Sequence, residues 1–229
     1  MMRTSLLISA TALWAILLMT AGCNIVGPVA AVVAGPGSIE AEYRLEDRPT
    51  VVFVDDRKNT MNPIALRRVI ADRVTEELMR RNLVTQMISP TDAMNYAAAH
   101  DSAKNVIPVD VVGRAVGAEQ VIFIEMLGFA DQTAEQRSRG VASFQVRVID
   151  VENRERLFPT SGNGEGNFGS SAPARFLNAN TRDISPEMLQ SRALRTQVRE
   201  MLANEVGDRV AKLFYKHEAR DLGGRLEPR

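Results

Sequence analysis

The sequence predicts an α/β domain over residues 39–220. It reads as a mixed sheet packed by amphipathic helices in two or three layers, with a long helix at its C-terminal end. Three observations predict it. Thr50-Val51-Val52-Phe53-Val54 and Glu119 to Leu127 are almost unbroken apolar runs bounded by polar turns, the pattern of strands buried on both faces. Val141 to Val151 alternates instead, with Ala142, Phe144, Val146 and Val148 on one face and Ser143, Gln145 and Arg147 on the other. Apolar residues at helical spacing fill the segments between and after these strands.

Taken in order, residues 24–38 form a tether, because Gly27-Pro28 and Gly35-Pro36-Gly37-Ser38 break any regular element. Ile39 to Leu45 suits a short strand with Ala41, Tyr43 and Leu45 on one face. Thr50–Val54 follows as the first buried strand and ends in the polar loop Asp55-Asp56-Arg57-Lys58-Asn59. Asn62-Pro63 predicts a helix start, Asn as cap and Pro in the first position. A helix of about 18 residues then buries Ile64, Leu66, Val69, Ile70, Val74 and Leu78 on a widened stripe. Leu83–Ile88 returns as a strand, Thr91–His100 is an Ala-rich helix after Ser89-Pro90, and Pro108–Val116 is a helix capped by Gly117. Glu119–Leu127 and Val141–Val151, joined by the polar stretch 128–140, read as an antiparallel pair, with Arg156–Pro159 continuing at the edge. Residues 160–171 carry Gly162, Gly164, Gly166 and Gly169 and read as a mobile surface loop. Ser185-Pro186 opens a helix running to Arg220, with a break allowed near Gly207, and residues 221–229 form a tail.

The first 22 residues have a different logic. Arg3, the apolar run Leu6–Met19 and the small residues Thr20-Ala21-Gly22 make a secretory signal. The run is shorter than the roughly 20 residues a spanning helix needs. Ending on Ala21-Gly22-Cys23, it resembles the lipobox of bacterial lipoproteins, with Thr20 standing where Leu is usual. The resemblance implies that Cys23 is acylated, becomes the first mature residue and ties the chain to a lipid bilayer. Asn24, rather than Asp, follows the cysteine, which implies the periplasmic face of the outer membrane. An inner-membrane anchor, an uncleaved span reaching into the apolar stretch 25–34, and plain secretion remain open. Cys23 is the one cysteine, so intramolecular disulfides and Cys-based zinc sites are excluded.

A second resemblance rests on element order and two short motifs. Gly117-Ala118 stands between a helix and a buried strand, and Ile149-Asp150 ends a strand before a turn. Over about residues 49–158 and 186–218 the chain resembles an envelope α/β domain. That domain is shared by the curli-secretion lipoprotein, the lipoprotein activators of penicillin-binding proteins and the N-terminal domain of the Tol-system propeller protein. The resemblance implies the fold and no catalytic residues.

Composition and motifs narrow the chemistry. Net charge is zero, so no long-range field recruits nucleic acid. The Gly-rich stretch lacks the Lys of a phosphate-binding loop, and no Gly-x-Ser-x-Gly elbow carries a nucleophile. His100 and His217 are far apart in sequence and read as surface residues, so no cofactor or metal is expected. Asp55 and Asp56 stand at a strand's C-terminal end, where open α/β sheets bind ligands, but Arg57 and Lys58 beside them favour a solvent-facing turn over a cation site. The candidate partner-binding surface is therefore Asp55, Asp56 and Arg57 together with Asn163, Glu165 and Asn167 of the Gly-rich stretch. The expected function is a non-enzymatic, membrane-anchored accessory module that docks on another envelope protein. The alternatives are a subunit of an oligomeric secretion or pore assembly, whose partner is a further copy of the chain, and a periplasmic ligand-binding or hydrolytic enzyme.

Overall fold

The computed structural model describes residues 37–102, 106–131, 139–160, 174–181 and 191–219. They fall into two units, a body over Ala41–Tyr215 and a small ribbon formed by the segments flanking it. In the ribbon, β1 (Ser38–Ile39) pairs antiparallel with β8 (His217–Glu218), and Ala219 N–H donates to Gly37 O at 2.6 Å. Lys216 and Glu40 pair across it at 2.6 Å.

The body is α/β, as the apolar runs predict. Its strands are β2 (Thr50–Asp55), β3 (Met87–Ile88), β4 (Gln120–Ala130), β5 (Val141–Asp150), β6 (Arg156–Phe158) and β7 (Arg175–Asn180). Its helices are α1 (Leu66–Arg80), α2 (Pro90–His100), α3 (Val109–Ala115) and α4 (Arg192–Ala211), the last followed by a 3₁₀ turn over Lys212–Phe214. The sheet order is β3-β2-β4-β5-β6, with β7 also on β5. β2 runs parallel to β3 and β4, whereas β4, β5, β6 and β7 pair antiparallel. Long β5 takes two partners on its outer edge, β7 along Val141–Val146 and β6 at Val148–Ile149.

Burial divides along the two faces of the sheet. On one, Val52, Val54, Ile122, Ile124, Phe144, Val146 and Val148 meet Leu66, Ile70, Val74 and Leu78 of α1 and Leu202, Val206 and Val210 of α4. On the other, Val51, Phe53, Val121 and Phe123 meet Ala93 and Ala97 of α2 and Val112 of α3. β2 and β4 each contribute to both clusters because they are interior strands with apolar residues on both faces.

Several boundaries move from their expected places. Asn62-Pro63, a cis bond, precedes a turn, and α1 begins at Leu66 with Ala65 as a cap that lends no side-chain hydrogen bond. Past the end of α1 the chain is closed by Asn82 (φ 52), with Asn82 N–H donating to Met79 O and Leu83 N–H to Leu78 O, the αL closure that suits Asn or Gly. The strand expected over Leu83–Ile88 shrinks to Met87–Ile88 because this closure occupies its first residues. The expected strand at Ile39–Leu45 is not one: past Ile39 the chain leaves the ribbon, and Glu42 and Tyr43 N–H donate instead to Leu213 O. The C-terminal helix is continuous through Gly207 and stops at Ala211, short of Arg220. The Ser185-Pro186 start and the Gly-rich stretch lie outside the described residues.

Candidate functional site

The loop after β2 is built around Asp56. This carboxylate is buried (6 % exposed) and accepts from Thr60 N–H (2.9 Å), Thr60 Oγ1 (2.9 Å) and Met61 N–H (2.7 Å). Met61 is thereby drawn into the core. The adjacent Asp55 pairs with Arg57 at 2.6 Å. Arg199 of α4 then clamps the loop's far end, donating to Asn62 O at 2.8 Å and pairing with Asp131 at 3.0 Å. Of the expected surface trio, Asp56 therefore faces inward and holds the turn, and Arg57 and Asp55 neutralise each other. Among the described residues no group of three His, Cys, Asp or Glu is placed to hold a metal ion. Asn163, Glu165, Asn167 and Cys23 lie outside the described residues.

His100 belongs to the body, where its ring stacks on Tyr96 at 4.2 Å and its Nδ1 lies 2.8 Å from Tyr96 O. His217 belongs to the ribbon. Glu77 of α1 is 3 % exposed and is surrounded by Arg73 (3.0 Å), Arg80 and Arg81 (3.4 Å). Burial pushes its carboxyl up, but the hydrogen bond from Arg80 and the arginine charges outweigh it and hold the group below the usual range. Arg73 also reaches Asp208 of α4 at 2.7 Å, and the Arg81 guanidinium stacks 3.6 Å over Tyr215. This cluster ties α1 to the last turns of the body.

The Ile149-Asp150 strand end has a comparable internal task. Asp150 accepts from Asn153 N–H at 2.7 Å, closing the turn, and from Arg48 at 2.9 Å. Burial alone raises its carboxyl; the Asn153 N–H and Arg48 bring it below its ordinary value. Gly117 (φ +77) closes α3 with its own N–H on Arg114 O and Ala118 N–H on Gly113 O. Both short motifs are thus turn and cap chemistry.

What sequence reasoning missed is β7 and the face it widens. The apolar cluster under α2 and α3 ends at Phe123 and Ile149. Beyond it the same face continues as Glu125, Ser143 and Gln145 of the β4–β5 pair, with Phe176 and Asn178 of β7 opposite Gln145 and Ser143. Gln145 Nε2 donates to Glu125 at 2.7 Å, and Arg147 lies 3.5 Å from the same carboxylate. Phe176 stands beside these polar groups 63 % exposed. The alternation of β5 was the sequence signal for this half-wet face.

No family model matches the chain, and no curated protein does. Solved structures of similar trace exist. A hypothetical protein of Chlamydia trachomatis is 16% identical over 72% of this chain and 96% of its own, with a TM-score of 0.40. The PelC dodecamer from Paraburkholderia phytofirmans is 12% identical over 81% and 98%, with a TM-score of 0.38. The LpoB C-terminal domain from Escherichia coli is 15% identical over 49% and 78%, with a TM-score of 0.32.

Proposed function

We propose that the protein is a lipid-anchored, non-enzymatic docking module of the bacterial cell envelope, held on the periplasmic face of the outer membrane by acylated Cys23. The observation that carries the reading is Ala21-Gly22-Cys23 at the end of a signal-like segment. Two acyl chains give a stable anchor where a single one is marginal. Residues 24–36 allow at most about 45 Å of extended chain between the lipid and Gly37, so the body works close to the bilayer. The non-enzymatic part is supported by how the conspicuous carboxylates are spent: Asp56, Glu77 and Asp150 are all engaged in holding turns and helices together.

Crosslinking in intact membranes followed by affinity capture tests the proposal, with Cys23→Ala as control. One envelope protein is expected in repeated captures of the wild-type chain, and Cys23→Ala should move to the soluble fraction and lose it. A wild-type chain that yields no reproducible partner, or a Cys23→Ala chain that stays in the membrane, would overturn the proposal.

A further inference from the structure

Among the described residues β7 is an edge strand, paired along one side only, with β5. Thr181 N–H donates to Gly140 O at 3.0 Å, continuing the β5–β7 ladder. In an antiparallel ladder, residues alternate between pointing their N–H and C=O at the neighbour and away from it. Arg175, Leu177, Ala179 and Thr181 therefore face β5, whereas Phe176, Asn178 and Asn180 turn their backbone groups outward. The Phe176 carbonyl agrees with this phase, since it accepts from the Arg175 side chain at 3.4 Å rather than from β5. Among the described residues, no other strand pairs with β7.

Exposed edges are ordinarily blunted by Pro, Lys, a bulge or brevity. β7 has none of these: it is six residues, Arg-Phe-Leu-Asn-Ala-Asn, in unbroken register. Its one charge, Arg175, is neutralised by both carboxylate oxygens of Glu42 at 2.6 Å. Phe176, Asn178 and Asn180 are all exposed.

We propose that β7 pairs antiparallel with β7 of a second copy, joining two sheets about a two-fold axis at Asn178. In this register Asn178 meets its own counterpart, Phe176 meets Asn180, Leu177 meets Ala179, and Arg175 meets Thr181. Each pair keeps its face, so the apolar side that carries Leu177 and Ala179 continues across the join and the polar side does likewise. No like charges are opposed, and Phe176 gains a neighbour. A two-fold contact must be self-complementary, and this edge is.

Two variants of the full-length chain in detergent and in membranes test the pairing. As a hydrogen-bonded pair, the two Asn178 Cα atoms stand about 5.5 Å apart, within the roughly 4.4–6.8 Å a disulfide spans. Under mild oxidation Asn178→Cys should give a covalent species of two chains. The wild-type chain, carrying Cys23 alone, and Asn95→Cys on the exposed face of α2 should not. Asn178→Pro removes only an outward N–H and spares the β5 ladder, so its melt should stay near wild type while the sedimenting mass falls from two chains to one. Leu177→Pro, which breaks the β5 ladder, should lower the melt. A wild-type chain that sediments as one copy, a two-chain mass that survives Asn178→Pro, or Asn178→Cys crosslinking no more than Asn95→Cys would overturn the proposal. So would Asn178→Cys trapping a different protein. If Asn178→Pro unfolds the chain, the crosslink alone decides.

Discussion

Gly207→Ala sets two effects of opposite sign against each other at the α1–α4 contact. In an exposed helix interior the change stabilises by about 1 kcal/mol, because Ala is the better helix former. Here a Cβ on residue 207 would lie 2.7 Å from Arg73 Cβ, 2.8 Å from Arg73 Cγ and 3.1 Å from Ile70 O. Carbon atoms pack best at about 3.5–4.0 Å, so the overlap is on the order of 1 Å. Neither Arg73 Cβ nor a backbone carbonyl can move by rotating a side chain, so the helices must separate. Separation also stretches the Arg73 bond to Asp208 at 2.7 Å. Overpacking of this kind costs about 1–3 kcal/mol, leaving a net loss of about 1 kcal/mol after the propensity gain. For a domain of this size that lowers Tm by about 2–4 °C. Thermal and denaturant unfolding followed by circular dichroism read it, with Asn204→Ala on the exposed side of α4 as the propensity control. A Gly207→Ala chain more stable than wild type would refute the close-approach account of this glycine.

Further outcomes follow from the inward-facing carboxylates and the glycine caps. Glu77 and Asp150 both titrate below their ordinary values of 4.5 and 3.8 in the folded chain, so their stabilisation is full above those values and is lost as pH falls through the lower folded ones. Denaturant unfolding should therefore be flat at neutral pH and weaken below about 4.5, with a shallower acid slope in Glu77→Gln. Asp56→Ala leaves the buried Met61 N–H without a partner and should cost about 1–3 kcal/mol by denaturant unfolding, whereas Asp55→Ala, on a partly exposed pair, should cost under about 1 kcal/mol. At Gly117 a Cβ meets nothing within 4 Å but the φ is +77°, so Gly117→Ala should cost about 1 kcal/mol from the backbone alone. Gly113→Ala should also lose about 1 kcal/mol in the same unfolding assay after its helix-propensity gain, because its Cβ would lie 2.6 Å from Val121 Cγ2 and 2.7 Å from Val151 Cγ2.

Legibility followed where the stabilising contact lies. Val51–Val54 and Val121–Ile124 are buried on both faces, so their apolar runs were plain, and β5 announced its single buried face by alternating. Gly117 and the Ser89-Pro90 start are local backbone chemistry and were also readable. β7 was not, because Asn178, Ala179 and Asn180 have little strand preference and the segment is extended through its register with β5. Asn62-Pro63 misled for a related reason: Asn62 O is held by Arg199, 137 residues further along the chain. Gly207 looked like a breaker because a helix glycine normally is one; its purpose depends on Arg73, which no local window contains. At the candidate site, Asp55 and Asp56 were found as a pair, but only the fold shows that one faces inward and the other meets Arg57.

Intact-mass and N-terminal peptide analysis of the mature chain taken from native membranes reads the anchor at Cys23 itself. The mature chain should begin at Cys23 and carry the added mass of a diacylglyceryl group and an N-linked acyl chain. A chain that begins at Met1, or at an unmodified residue after the signal-like segment, would contradict it.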